Sequence, residues 1–125
     1  MDKIRIAIIG GGETGTPLLR QLLGASFVDV VGLADLLDDQ PGMVLAKASG
    51  IPTTNDFMDF ARLGSAVDIV IDVTGVANVR DNLRQHYQSS GNTHTIIMNE
   101  LIAVLLMSLS QGRLVATKHG QLDYR

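Results

Sequence analysis

Three glycines and one aspartate are the residues of this chain whose types and spacing could do chemistry. Gly10, Gly12 and Gly15 have the G-x-G-x-x-G spacing. In that pattern the first glycine makes a tight turn, the second lets backbone approach a pyrophosphate, and the third lets a helix pack closely on its strand. Glu13 and Thr14 lie inside the same loop. Asp35 stands twenty residues beyond Gly15, the interval at which an acidic side chain ending a second strand accepts both hydroxyls of an adenosine ribose. A carboxylate there repels a 2'-phosphate, so the two features together predict NAD rather than NADP. The competing reading is that Asp35 opens a polar turn with Asp38 and Asp39 and holds nothing. The glycines also fit the G-x-x-x-x-G of a P-loop. Position 16 is threonine, however, where the lysine that reaches β- and γ-phosphates would stand, which argues against a nucleoside triphosphatase.

Those residues need a strand before them and a helix after them, and the local pattern supplies both. Ile4 to Ile9 is apolar except for Arg5 and reads as a strand covered on both faces, the usual state in a parallel sheet. Leu18, Leu19, Leu22 and Leu23 then mark one side of a helix, with Pro17 in its first turn, where a missing N–H costs nothing. The free amides at the start of that helix favour a dianion. FVDVVGLAD reads as a second strand ending at Asp35, and MVLAKASG as a short helix packing Met43, Val44 and Leu45 on the sheet. IPTT reads as a brief third strand. Thr54 or Asn55 caps the next helix, which runs through Arg62. VDIVIDVTG repeats the character of the first strand and is expected beside it. In a doubly wound sheet the crevice opens between strands one and four, so Thr74 and Gly75 would face Gly10 and Gly12 across it. A helix follows with Val76, Val79, Leu83 and Tyr87 inward, then a fifth strand, THTIIM. ELIAVLLMSL forms a last helix apolar all round, which has to be covered on more than one side. A homo-oligomer or a covalently following domain, meeting the chain through Leu101 to Leu109, would cover it, and a homodimer is the expectation. A sixth strand at Leu114 to Thr117 is possible from the pattern, while the tail from about residue 113 has no assigned place. The fold class expected is α/β: a doubly wound, mostly parallel sheet of five or six strands in three layers, forming one dinucleotide-binding domain over residues 1–125.

Composition narrows the function further. A net charge of -3 gives no general attraction to nucleic acid or to an anionic membrane, and neither is expected as a partner. The absence of cysteine excludes disulfides and thiolate metal sites and fits a cytoplasmic location. His86, His94 and His119 lack ligand-like spacing with carboxylates, so they read as surface or helix-end histidines and no metal is expected. The five methionines read as core filling.

KIRIAIIGGGETG, VVGLAD, GIPTTNDF and VDIVIDVTG together resemble the N-terminal NAD-binding Rossmann domain shared by glucose-fructose oxidoreductase, inositol dehydrogenase, homoserine dehydrogenase and aspartate dehydrogenase. The resemblance covers nearly the whole chain. It implies that Gly10, Gly12 and Gly15 hold the pyrophosphate, Asp35 the adenosine ribose, and Thr74 and Gly75 the nicotinamide side, with Asn99 and Glu100 near the nicotinamide riboside. Two departures are evident. The sugar dehydrogenase branch has Glu-Lys-Pro after the fifth strand, its lysine assisting proton transfer, and this chain has Glu100, Leu101 and Ile102. The substrate domain of those families is also absent, and no catalytic residue is assigned. Glu13, a carboxylate in a pyrophosphate loop, is expected to cap its own helix. The expected function is an NAD(H)-binding module, not catalytically competent alone, that binds or senses the cofactor. The alternatives are the cofactor half of a two-domain oxidoreductase, or a module for CoA or another adenine nucleotide.

Overall fold

The computed structural model describes residues 2–115. Strands and helices alternate: β1 (Ile4–Ile9), α1 (Gly15–Leu23), β2 (Val28–Ala34), α2 (Pro41–Ala48), β3 (Thr53–Thr54), α3 (Met58–Arg62), β4 (Ile69–Asp72), α4 (Ala77–Ser90), β5 (Ile96–Asn99) and α5 (Glu100–Gln111). The strands form a five-stranded sheet in the order β3-β2-β1-β4-β5, and every pairing is parallel. This is the doubly wound arrangement, with winding reversed between β1 and β4. The register sets Ile9 between Ala34 and Asp72, and Asp72 beside Asn99. The carboxyl ends of the three central strands therefore open on one side of the switch point.

Side-chain alternation along the strands builds two cores. Ile6, Ile8, Leu33, Ile71 and Val73 face one way and pack with Leu18 and Leu19 of α1, Met43 of α2, and Ala103 and Met107 of α5. Ala7, Ile9, Ala34 and Val70 face the other way and meet Phe60 of α3 and Val79, Leu83 and Tyr87 of α4. The period of two in the strands thus meets the three-and-four spacing of the helices on both faces, giving three layers.

Several local expectations are corrected. Met43 is fully buried, but Val44 points to solvent, and Ala46 takes its place against the sheet. Helix α3 is shorter than expected: neither Thr54 nor Asn55 caps it, and the Asp56 carboxylate accepts the Met58 N–H instead. Val76 precedes α4 and is exposed, so the buried side of that helix begins at Val79. Leu114 and Val115 form no strand, and positions 116 and 117 of the suggested sixth strand lie outside the described residues. Instead the chain reverses at Gly112 in a left-handed turn. The Val115 N–H then donates to Ser108 Oγ at 2.9 Å.

Helix α5 is half covered by this chain. Ala103, Val104 and Met107 are buried, while Leu101, Ile102, Leu105, Leu106 and Leu109 stay between 37% and 70% exposed. The helix is apolar all round, as its sequence indicates, and one long face has no cover among the described residues.

Candidate nucleotide site

The glycine loop connects β1 to α1 at the switch point. Gly10 takes a φ of +112°, which only glycine adopts without strain, and its N–H donates to the Ala34 carbonyl at 2.8 Å. A Cβ on Gly15 would overlap the Gly10 carbonyl oxygen and lie 2.8 Å from the carbonyl carbon, so α1 sits this close to its strand only because residue 15 has no side chain. Gly12 differs. Its absent Cβ would meet only Gln40 Oε1, at 3.5 Å, and its open side faces a cleft of about 620 Å³.

Gly11 is a junction that the spacing motif does not mark. Its carbonyl accepts the Gly42 N–H at 2.7 Å and the Thr16 hydroxyl at 3.1 Å. Its N–H donates to Asp35 Oδ2 at 2.8 Å. A Cβ on Gly42 would come within 2.7 Å of Gly11 Cα, so the start of α2 packs directly on the loop. The first turns of α1 and α2 therefore both abut the glycine loop.

The end of α1 that meets the cleft is uncapped. Thr14 occupies the N-cap position without a side-chain cap, and no acidic residue lies in the first turn. The expectation that Glu13 caps this helix is corrected: Glu13 is exposed and lines the cleft. Thr14 also lines it and is only 5% exposed, and its hydroxyl has no partner among the described residues. A buried hydroxyl without a partner carries a desolvation cost of about 1–3 kcal/mol, which a bound acceptor would relieve.

Asp35 follows β2 and does two things at once. Oδ2 takes the Gly11 N–H, and Oδ1 takes the Leu37 N–H at 3.0 Å. It opens the polar turn that its neighbours suggested, and it stands at the glycine loop as the spacing suggested. An ionised carboxylate has about four acceptor positions, so two bonds to backbone leave room for a diol.

On the far wall, Thr74 lines the cleft with its methyl toward Gly10, while its hydroxyl donates to Asp72 Oδ1 at 2.6 Å and accepts the Val76 N–H at 3.1 Å. Gly75 follows at a φ of +67°. The structure thus brings Gly10, Gly12, Glu13, Thr14, Asp35 and Thr74 to one cleft. Gly15 lies behind the loop as a packing residue, Gly75 turns the chain beyond the wall, and Asn99, beside Asp72 at the end of β5, is not among the lining residues: its Oδ1 accepts the Ile102 N–H at 3.2 Å and caps α5.

Sequence reasoning missed Gln40, Asn55, Phe57, Leu36, Leu37 and Asn78, which also line the cleft. An N-cap position before Pro41 was a signal available for Gln40; nothing local marks the others. Among the described residues no lysine or arginine lines the cleft. A phosphate here would be met by amides, a helix dipole and the Thr14 hydroxyl rather than by a cation.

The opposite end of the sheet holds a different polar cluster. Asp68, only 6% exposed, accepts from the Arg5 N–H at 2.8 Å, from the Arg5 guanidinium through Nε and NH2, and lies 2.6 Å from His94 Nε2. The Arg5 guanidinium bonds, then the Arg5 backbone bond and His94, hold its carboxyl well below the usual carboxylate range. A second groove, of about 610 Å³, lies beside it, lined in part by Arg62, His86 and His94. Two of these side chains already have partners: Arg62 pairs with Asp56 and Asp59, and His94 Nε2 lies against Asp68. His94 is therefore a tied residue and His86 stacks edge-on against Tyr87, while His119 lies outside the described residues. Among the described residues no group of histidines and carboxylates is placed to hold a metal ion.

A cleft at the switch point of a parallel α/β sheet, floored by a glycine loop and a helix N-terminus, defines the Rossmann-type class of fold. Solved structures agree. The chain superposes on GenD2 from gentamicin A biosynthesis, determined in complex with NAD, with a TM-score of 0.58 and 20% identity, covering 94% of this chain and 34% of that one. Against a myo-inositol dehydrogenase of Corynebacterium glutamicum the TM-score is 0.58 at 17% identity, over 88% of this chain and 33% of the other. The expected likeness to inositol dehydrogenase-type cofactor domains thus holds at the level of fold.

Sequence relatives point to another oxidoreductase group. The chain is 39% identical to an acetaldehyde dehydrogenase of Shewanella pealeana over 58 residues, 46% of this chain and 19% of that protein. It is 32% identical to the acetaldehyde dehydrogenase of Leptothrix cholodnii over 88 residues, 68% of this chain and 29% of the relative. The chain thus spans under a third of the length of these relatives. No family model matches it.

Proposed function

We propose that residues 1–125 form an NAD(H)-binding unit that does not transfer hydride to a substrate unaided. The observation that carries this reading is the pairing of two features across one cleft: the buried, unpartnered Thr14 hydroxyl at the open end of α1, and the Asp35 carboxylate tied to the same glycine loop. The first suits a pyrophosphate oxygen and the second a ribose diol. NAD bound in GenD2, and the acetaldehyde dehydrogenase activity named for the sequence relatives, support the same ligand.

When bound, the nicotinamide ring is the part that accepts or gives hydride; the protein residues hold it. Gly12 leaves space for the pyrophosphate, the α1 amides and Thr14 donate to it, and Asp35 accepts from the adenosine ribose. Gly10 and Gly15 act one step back, by fixing the loop's shape. Thr74 forms the wall toward the nicotinamide and Gly75 turns the chain just beyond it, with the Thr74 hydroxyl committed to Asp72 and unavailable as an acid. Leu101 and Ile102 stand where the sugar dehydrogenases have lysine and proline, so this segment lacks the lysine that assists proton transfer there.

The greater length of the relatives supports the role of cofactor half of a larger NAD-dependent oxidoreductase. The leucine and isoleucine after Glu100 favour a second reading, a module that binds or senses the cofactor without chemistry. In either case the uncovered α5 face takes a partner. We assign it a second copy of the chain, because α5 carries no charge after Glu100 and a two-fold axis would set no like charges together. NAD and the lack of cysteine fit the cytoplasm, and no helix among the described residues is long and apolar enough to cross a membrane.

Calorimetric titration with NAD, NADH, NADP and CoA tests the ligand. Binding of NAD with rejection of NADP is expected, and Asp35→Ala is expected to weaken NAD by about 1–3 kcal/mol as charged hydrogen bonds are lost. Preference for NADP or CoA, or an unchanged affinity in the variant, overturns the assignment.

A further inference from the structure

The loop between β2 and α2, residues 35–40, carries the ribose carboxylate and forms one side of the cleft, yet Leu36 is 81% exposed and Leu37 57% exposed. A loop that exposes its leucines has little apolar packing to fix it. Its position is set by polar ties instead. Asp35 N–H donates to the Thr54 carbonyl at 3.1 Å, and the Asp35 carboxylate takes the Gly11 and Leu37 amides. One side chain from outside the loop spans it. Asn55 Nδ2 donates to the Asp35 carbonyl at 2.9 Å and to Asp38 Oδ1 at 2.8 Å, so a single amide group uses both hydrogens to hold the first and fourth residues of the stretch. Lys47, 3.8 Å from the same Asp38 oxygen, adds an exposed ion pair of little weight.

The anchor is itself placed by the sheet. Thr53 and Thr54 pair in register with Leu33 and Ala34, so the residue after β3 is delivered beside the residue after β2. Asn55 therefore reaches Asp35 without a long flexible stem, and it also lines the cleft. Its polar side chain takes no part in the start of α3, where the Asp56 carboxylate accepts the Met58 N–H. The amide is thereby free to serve the ligand side of the fold.

We propose that Asn55 is a positioning residue for the adenosine end of the site, holding the Asp35–Asp38 turn so that the Asp35 carboxylate is fixed before the nucleotide arrives. This rests on the NAD reading given above. The gain is one of preorganisation: a carboxylate already oriented by Gly11, Leu37 and Asn55 loses less conformational freedom on meeting the ribose. The effect belongs to one half of the dinucleotide, because the wall at Thr74 has no hydrogen bond to this loop among those described.

Titrations of wild type, Asn55→Ala and Asn55→Asp with NAD, AMP and nicotinamide mononucleotide test this. Asn55→Asp preserves size and shape but removes both donated bonds and sets a second carboxylate against Asp38. Both variants are expected to bind NAD and AMP about fivefold more weakly, the equivalent of one net hydrogen bond, with nicotinamide mononucleotide unchanged. In an Asp35→Ala background, Asn55→Ala is expected to add almost nothing, since the group it orients is gone. In the ligand-free protein, amide exchange at Leu37 is expected to quicken in both variants. Unchanged AMP affinity, an equal loss for AMP and nicotinamide mononucleotide, or unchanged exchange at Leu37 overturns the proposal. A wild-type protein that binds neither NAD nor AMP overturns the nucleotide reading and this one with it, whereas normal wild-type binding with an indifferent Asn55 overturns this one alone.

Discussion

Gly12 and Gly15 belong to one motif, but the structure gives them opposite duties, and alanine at each position separates the two. At Gly15 a methyl group would overlap the Gly10 carbonyl oxygen and approach its carbon to 2.8 Å. Restoring an ordinary contact requires α1 to retreat from β1 by roughly 1.5 Å, and the Cβ and the carbonyl are both fixed by backbone, so no rotamer absorbs the shift. Leu18 and Leu19, 4% and 0% exposed, would be drawn out of the first core with it. Overpacking of this kind costs about 1–3 kcal/mol, and the lost leucine packing takes the expected cost for Gly15→Ala to about 3 kcal/mol or more, a large part of the about 5–15 kcal/mol that holds a domain together. Gly12 is not among the glycines at positive φ, and its methyl would meet only the far end of Gln40. Gly12→Ala is therefore expected to leave stability unchanged or raise it by about 0.4–1 kcal/mol through the unfolded chain. The same methyl stands where the pyrophosphate must approach, and NAD affinity is expected to fall about 10- to 100-fold. Urea unfolding and calorimetric titration of both variants read the two quantities. A Gly15→Ala protein with the wild-type midpoint, or a Gly12→Ala protein that binds NAD normally, refutes the reasoning.

Two further outcomes follow from parts of the molecule away from the cleft. Because Arg5 lowers the Asp68 carboxyl in the folded state, the bonds contribute stability that is fully present above the ordinary carboxylate pKa and is lost as pH falls through the lower folded value. Wild type is thus expected to be more stable than Asp68→Asn at pH 7, with the difference shrinking below about pH 4; a difference that grows on acidification contradicts this. Leu106→Glu, at a position 50% exposed on the bare α5 face, is expected to convert a dimer to a monomer in sedimentation while leaving NAD affinity unchanged. A monomeric wild-type protein at micromolar concentration contradicts the assignment of that face to a second copy.

What could be read from the chain and what could not divides along a physical line. Gly10, Gly12, Gly15 and Asp35 were legible because a strand, a turn, a helix and a second strand of ordinary length fix their separation, and β1 fell beside β4 because both are β-branched runs that need cover on two faces. Gly11, Gln40 and Asn55 were not, since each acquires its place only when β2, β3 and the glycine loop are brought into register. Arg5 is the clearest case. It looked like an interruption in an apolar strand, and its reason is Asp68, sixty-three residues away in the chain and adjacent in space. Glu13 and Asn99 show a different limit: both are polar residues near helix starts, where capping and ligand contact draw on the same residue types. Glu13 turned out exposed at the cleft, and Asn99 capped α5. Val44 shows the limit of counting apolar residues, since which of three neighbours faces the sheet depends on the phase of a helix only eight residues long.

The central claim is that the open α1 terminus and Asp35 grip a single dinucleotide. It is tested most directly by following backbone amide resonances of the labelled protein as NAD is added. The account predicts saturable shifts concentrated at Gly11, Gly12, Thr14, Gly15 and Leu37, with the amides around Arg5, Asp68 and His94 unmoved. Shifts centred on that opposite end of the sheet, or none at saturating NAD, would contradict it.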